Sequence, residues 1–136
     1  MPAAALPCAY DPRKARLLSF HDAAERFRDG DDNPRAYLER CLRMIDEREH
    51  EVMAFAFLDL EGARRAADAS SARHRAGRSL SPVDGMPVGI KDLMETRDMP
   101  TEYGSHLFRG NRPIRDAAPV EALRGGGAIM VGKTET

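Results

Sequence analysis

Two short apolar runs, Pro87-Val88-Gly89-Ile90 and Ala128-Ile129-Met130-Val131, bracket a stretch with one candidate helix. Runs this short, bounded by Gly and Pro, read as buried strands, not as helices. Two strands separated by a helical connection predict a parallel pair with a right-handed crossover. The connecting helix is expected over about 117–124, with Asp116 as its cap, Pro119 in its first turn and Gly125, Gly126 and Gly127 at its end. Pro82–Gly85 reads as a turn. Residues 92–112 read as irregular, punctuated by Pro100, Gly104 and Gly110.

The region before residue 82 has a different texture, helical and polar. Ser19 is placed to cap a short helix that runs through Arg28 and stops at Gly30. Asn33-Pro34 is a cap followed by a first-turn proline. Tyr37, Leu38, Cys41, Leu42 and Ile45 then recur at helical spacing, predicting an amphipathic helix over 34–49. Val52–Leu58 is the longest apolar run and predicts a strand. Asp59 caps a further helix over about 60–76, ended by Gly77. The chain is accordingly divided into a helical region, 1–81, and an α/β region, 82–136.

Composition closes several routes. The 21 Lys and Arg residues against 22 Asp and Glu leave a net charge of −1, so no chain-wide basic surface offers itself to nucleic acid. A spanning helix needs roughly 20 apolar residues, far more than Val52–Leu58 supplies, so no membrane partner is expected. Met1–Tyr10 lacks the charged and apolar blocks of a secretory signal. Cys8 and Cys41 show no metal spacing and read as free thiols in a reducing, cytoplasmic setting. No metal or cofactor is implied. The histidines, His21, His50, His74 and His106, are scattered and read as surface residues.

The chemistry-bearing candidates are few. Lys14, Lys91 and Lys133 are the only lysines among the 21 basic residues, and the last two lie in Gly-rich, apolar surroundings. An ammonium carried into such surroundings is disfavoured as an ion, which can make a lysine a general base. For Lys91, directly after the first apolar run, the alternative is a strand-end lysine paired with Asp92 or another acid; both readings stay open on the residues alone. Arg64, Arg65, Arg73, Arg75 and Arg78 form either an anion site or a solvated helix face, and the lack of aromatic or Gly-rich company favours the face. Gly127, Gly132, Lys133 and Thr134 match the spacing of a phosphate-binding loop letter for letter. A phosphate cradle needs free backbone N–H groups between a strand and a helix. Here the four middle residues are the expected strand itself, so nucleotide binding is rejected. Ser105 has no nucleophile-elbow context and reads as a turn residue.

Four segments resemble the amidase signature family in order and spacing: Gly85-Met86-Pro87-Val88-Gly89-Ile90-Lys91-Asp92, Thr101-Glu102-Tyr103-Gly104-Ser105, Asp116-Ala117-Ala118, and Gly126 through Thr134. The helical first region resembles that family's N-terminal helices. The resemblance implies the front edge of an α/β/α sandwich with a mixed sheet, preceded by helices. It implies hydrolysis of a carboxylic amide by a Ser–cis-Ser–Lys triad, with Lys91 matching the lysine. It places both serines, and the oxyanion-hole donors, beyond the G-K-T segment and hence beyond Thr136. An N-terminal portion of an amidase is therefore expected, with a small amide as the substrate of the complete enzyme. Alone it should be inactive, and its unpaired sheet edge should favour a complementing chain or self-association. Leu93, where the tRNA amidotransferase branch commonly has Asn, points towards a general amidase. A non-catalytic remnant or interaction protein is the alternative from another class.

Overall fold

The computed structural model describes residues 19–136; Cys8, Lys14 and the Met1–Tyr10 reading lie outside them. Its elements are α1 (Phe20–Asp29), α2 (Pro34–Val52), β1 (Phe55–Leu58), α3 (Leu60–Arg75), β2 (Pro87–Lys91), α4 (Ala118–Gly125) and β3 (Ile129–Thr134), with a short 3-10 turn at His106–Phe108. Local signals account for most boundaries. The Asn33 side chain accepts from the Ala36 amide at 2.9 Å, and Pro34 follows in the first turn. Asp59 accepts from the Gly62 amide at 2.9 Å and starts α3. Gly30, at φ 82°, closes α1 in the left-handed conformation that glycine tolerates.

Three local expectations are corrected. The apolar run from Val52 begins as helix, because α2 continues to Val52 and Met53 turns left-handed with its N–H on the Glu49 carbonyl. The Glu49 carboxylate then accepts the Phe55 amide at 2.7 Å, so the strand starts only there. Asp116 does not cap α4; Ala117 holds that position without a side-chain bond. The Asp116 carboxylate is instead taken by the Arg97 amide at 2.9 Å and Arg124 Nε at 2.8 Å, and a guanidinium is the stronger partner. Ser19 stands at the N-cap of α1, but its hydroxyl makes no capping bond.

The three strands form a mixed sheet in the order β1–β3–β2, with β1 antiparallel and β2 parallel to β3. The parallel pairing expected between 88–90 and 128–131 is present, and β1 of the helical region joins the same sheet. On one face, Ile129 and Val131 pack on Leu38 and Leu42 of α2 and on Ala63 and Ala67 of α3. On the other, Ile90, Ala128 and Met130 pack on Met99 and on Val120 of α4. Helices thus cover both faces, the α/β/α layering that buries a parallel pair. Leu38, Ile129 and Val120 are fully enclosed, each worth about 1.5–3 kcal/mol of burial. Phe20, Phe27 and Tyr37 form a separate edge-to-face cluster that holds α1 against α2.

An irregularity in β3 decides what the sheet can carry. Val88 pairs with Met130, but Gly89 pairs with Gly132, so β3 has one residue more than β2 at this point. Such a bulge reverses the alternation of side chains beyond it. Without it Lys133 would follow Ile129 and Val131 towards α2 and α3. With it, Lys133 pairs with Ile90 and enters the opposite face.

Candidate active site

Lys91 ends strand β2, beside Thr134 of β3. The strand-end placement agrees with the sequence, but the side chain is not carried into apolar surroundings. Ile90 is buried, Lys91 exposed and Asp92 buried. With a period of two, Ile90 and Asp92 take the inner positions, so the lysine between them faces out. Gly89 lies on the same outward side, where a Cβ would stand 2.8 Å from the Thr134 methyl group.

The buried lysine is Lys133, with no accessible surface. Its Nζ donates to Thr101 Oγ1 at 2.6 Å and to the Pro100 carbonyl at 3.2 Å, and lies 3.0 Å from Asp92 Oδ1. The Asp92 contact is an ion pair, and Oδ1 has no hydrogen-bond partner beside it. Asp92 Oδ2 accepts from the Glu102 amide at 3.0 Å. The Asp92 main chain is also engaged at both ends, its N–H donating to the Thr134 carbonyl and its own carbonyl accepting from the Tyr103 amide. The false phosphate loop is therefore a strand whose lysine is buried in a salt bridge. The rarity of lysine had marked Lys133, yet its burial depends on the bulge, which no local pattern announces.

A second buried knot lies at the entry to β2. Asp84 is 1% exposed and accepts from Ser70 Oγ at 2.7 Å, Arg73 Nε at 2.9 Å, Arg73 Nη2 at 2.6 Å and the Leu80 amide at 2.9 Å. Burial alone would raise the Asp84 carboxyl. The bonds from Arg73, Ser70 and Leu80 outweigh it and hold the group below the usual carboxylate range. In the sequence Asp84 was only one residue of the Pro82–Gly85 turn. Gly127, at φ 90°, passes so close that a Cβ there would stand 2.5 Å from Asp84 Oδ1.

The remaining candidates are distributed. Arg73 is committed to Asp84, and Arg64 to Glu39 and Glu61, so the arginines of α3 do not converge on an anion site. His21, His50 and His106 are exposed. His74 departs from the surface reading: it packs edge-on against Phe27, with Nε2 3.1 Å from the Asp84 carbonyl. Ser105 starts the 3-10 turn, its Oγ accepting from the Leu107 amide. Cys41 is half-buried, and burial raises its thiol. Among the described residues no cluster of His, Cys, Asp or Glu could hold a metal ion, and no helix is long and apolar enough to cross a membrane.

Comparison with known proteins places this geometry. The chain superposes with a TM-score of 0.82, at 28% identity, on a chain from a vestigial protein complex bearing on the origins of an s-triazine catabolic enzyme, covering 87% of this chain and 26% of that one. Peptide amidase from Stenotrophomonas maltophilia superposes with a TM-score of 0.81 at 28% identity, over 90% of this chain and 26% of that one. A glutamyl-tRNA(Gln) amidotransferase subunit from Chloroflexus aggregans is 42% identical over 95 residues, which is 70% of this chain and 20% of the relative. The chain thus spans about a fifth of the length of the curated relatives it matches. The amidase family model matches residues 36–136, from the first turn of α2 through the end of the sheet, and the chain belongs to that family.

Proposed function

We propose that these residues form the lysine-bearing part of an enzyme that hydrolyses the C–N bond of a small carboxylic amide, with Lys91 as general base. The observation that carries this reading is the place of Lys91. It stands outward at the C-terminal end of a parallel strand, where open α/β sheets collect their ligands. An exposed amine there is free to meet hydroxyls supplied from elsewhere. In the proposed cycle Lys91 Nζ accepts a proton through a relaying serine from a nucleophilic serine. The nucleophile attacks the amide carbonyl. The proton returns to the departing nitrogen, and water then releases the acid from the serine ester.

Both serines are proposed to come from outside residues 1–136, since Ser105 already caps a turn. The 136 residues alone are therefore proposed to have no amide turnover. A complementing chain fits the apolar groups exposed close to Lys91 in sequence and in the following loop: Leu93 at 50%, Leu107 at 80%, Phe108 at 50% and Ile114 at 88%. It also fits the amidotransferase relative, whose name is that of a subunit. The same patch supports the second reading, a non-catalytic interaction protein. Leu93 points to a general amidase, whereas similarity to the amidotransferase points to that branch of the family. A cytoplasmic location is part of the proposal.

The test assays glutamine, simple aliphatic amides and aryl amides, with the protein at its natural length and as residues 1–136. We expect turnover by the natural-length protein and none by the 136 residues. Lys91→Ala should lower turnover about 10²- to 10⁴-fold, the usual contribution of a general base. Undiminished turnover in Lys91→Ala would overturn the assignment.

A further inference from the structure

We infer that Asp92 and Lys133 act together as positioning residues for Lys91, a role that rests on the reading of Lys91 as the base. Asp92 follows Lys91 directly and points to the opposite face of the strand end, 3% exposed. Its carboxylate holds the Glu102 amide on one oxygen and faces the Lys133 ammonium with the other. Its main-chain N–H and carbonyl are bound to Thr134 and Tyr103. The residue after Lys91 is therefore held from β3 and from the 101–103 loop, through main chain and side chain together. Lys133 extends the hold to the loop through Thr101 and Pro100. The geometry needs the β3 bulge, since only the reversed alternation brings Lys133 beneath Asp92.

A buried ion pair is seldom a gain in stability over apolar residues of similar volume, whereas losing one partner leaves a costly uncompensated charge. What this pair does provide is a fixed geometry. It pins the loop 100–103 to the strand end, so the main chain on which Lys91 stands has one orientation. Small displacements of a catalytic group reduce rate steeply, by about 10²-fold for 1 Å. Lys133 and Asp92 touch no reacting atom in this scheme; they act through the backbone of Lys91.

The test uses the natural-length protein and follows kcat and KM separately. Thr101→Val removes the hydroxyl on Lys133 while keeping the side-chain shape, and Thr101→Ser restores it. We expect Thr101→Val to lower kcat at least several-fold with KM little changed, and Thr101→Ser to return kcat to near wild type. Lys133→Met leaves a buried Asp92 anion and can fail to fold. The paired variant Lys133→Met with Asp92→Asn removes both charges together, and we expect it folded by circular dichroism with kcat down about 10²-fold. Wild-type kcat in the folded double variant, or in Thr101→Val, overturns the positioning role even where Lys91→Ala is inactive. Full activity of Lys91→Ala, by contrast, removes the base assignment itself, and this inference falls with it.

Discussion

Replacing Asp84 by Ala removes the acceptor for four hydrogen bonds at once, from Ser70, from two nitrogens of Arg73 and from the Leu80 amide. Ser70 is fully buried and cannot recover its bond from water. Leaving a buried donor unpaired costs about 1–3 kcal/mol, and breaking a buried ion pair about 3–5 kcal/mol. The Arg73 side chain is 27% exposed, so its guanidinium recovers part of its solvation, and the lower end applies. The expected loss is about 3 kcal/mol, a large share of the roughly 5–15 kcal/mol that holds a typical domain together. Urea unfolding at neutral pH reads it directly as the difference between wild type and variant. The pH dependence supplies a second check. Asp84 has its carboxyl lowered in the folded state, so its contribution is complete above the unfolded carboxylate range, about pH 4, and disappears as pH falls through the still lower folded value. The gap between wild type and Asp84→Ala should therefore be full at pH 7 and narrow progressively below about pH 4. A gap below about 1 kcal/mol at pH 7, or one that does not shrink in acid, would refute the reasoning.

Gly132→Ala should disrupt the β1–β3 pairing, because a Cβ there overlaps the Phe57 carbonyl oxygen, a backbone atom with no room to yield; hydrogen exchange of the β1 amides should accelerate well beyond that of the α2 amides. Gly127→Ala combines a strained φ of 90° with a Cβ 2.5 Å from Asp84 Oδ1, and its urea midpoint should fall below that of Gly125→Ala, where nothing lies within reach. Lys91→Ala should leave the unfolding midpoint unchanged while turnover falls, since its side chain is exposed; a lowered midpoint would mean that the lysine is structural. Ile114→Ser with Leu107→Ser should reduce self-association by analytical ultracentrifugation if these exposed groups are a contact surface; unchanged sedimentation would exclude it.

Much of the frame was legible from short-range rules. Asn33-Pro34 and Asp59 start helices because the side chain and amide that meet are only three residues apart. The apolar runs at 87–90 and 128–131 became parallel strands because a helical connection between buried runs leaves few topologies. The motif around Lys91 carried the family, and with it the layering. Where the reading failed, a distant partner had taken over. Asp116 is drawn from its cap by Arg124 and Arg97. His74 is drawn inward by Phe27 and the Asp84 carbonyl.

The two lysines divide the matter most clearly. Their scarcity, their glycine-rich setting and their places beside apolar runs are properties of the sequence alone. Which of them is buried is not. That outcome depends on one extra residue in β3, which reverses the alternation and sends Lys133 beneath the sheet to Thr101 and Asp92. It depends equally on Ile90 in β2 and on Asp92 just after it, which take the inner positions and leave Lys91 facing outward. Side-chain direction in a strand is set by pairing register, and register is a relation between strands that are far apart in the chain.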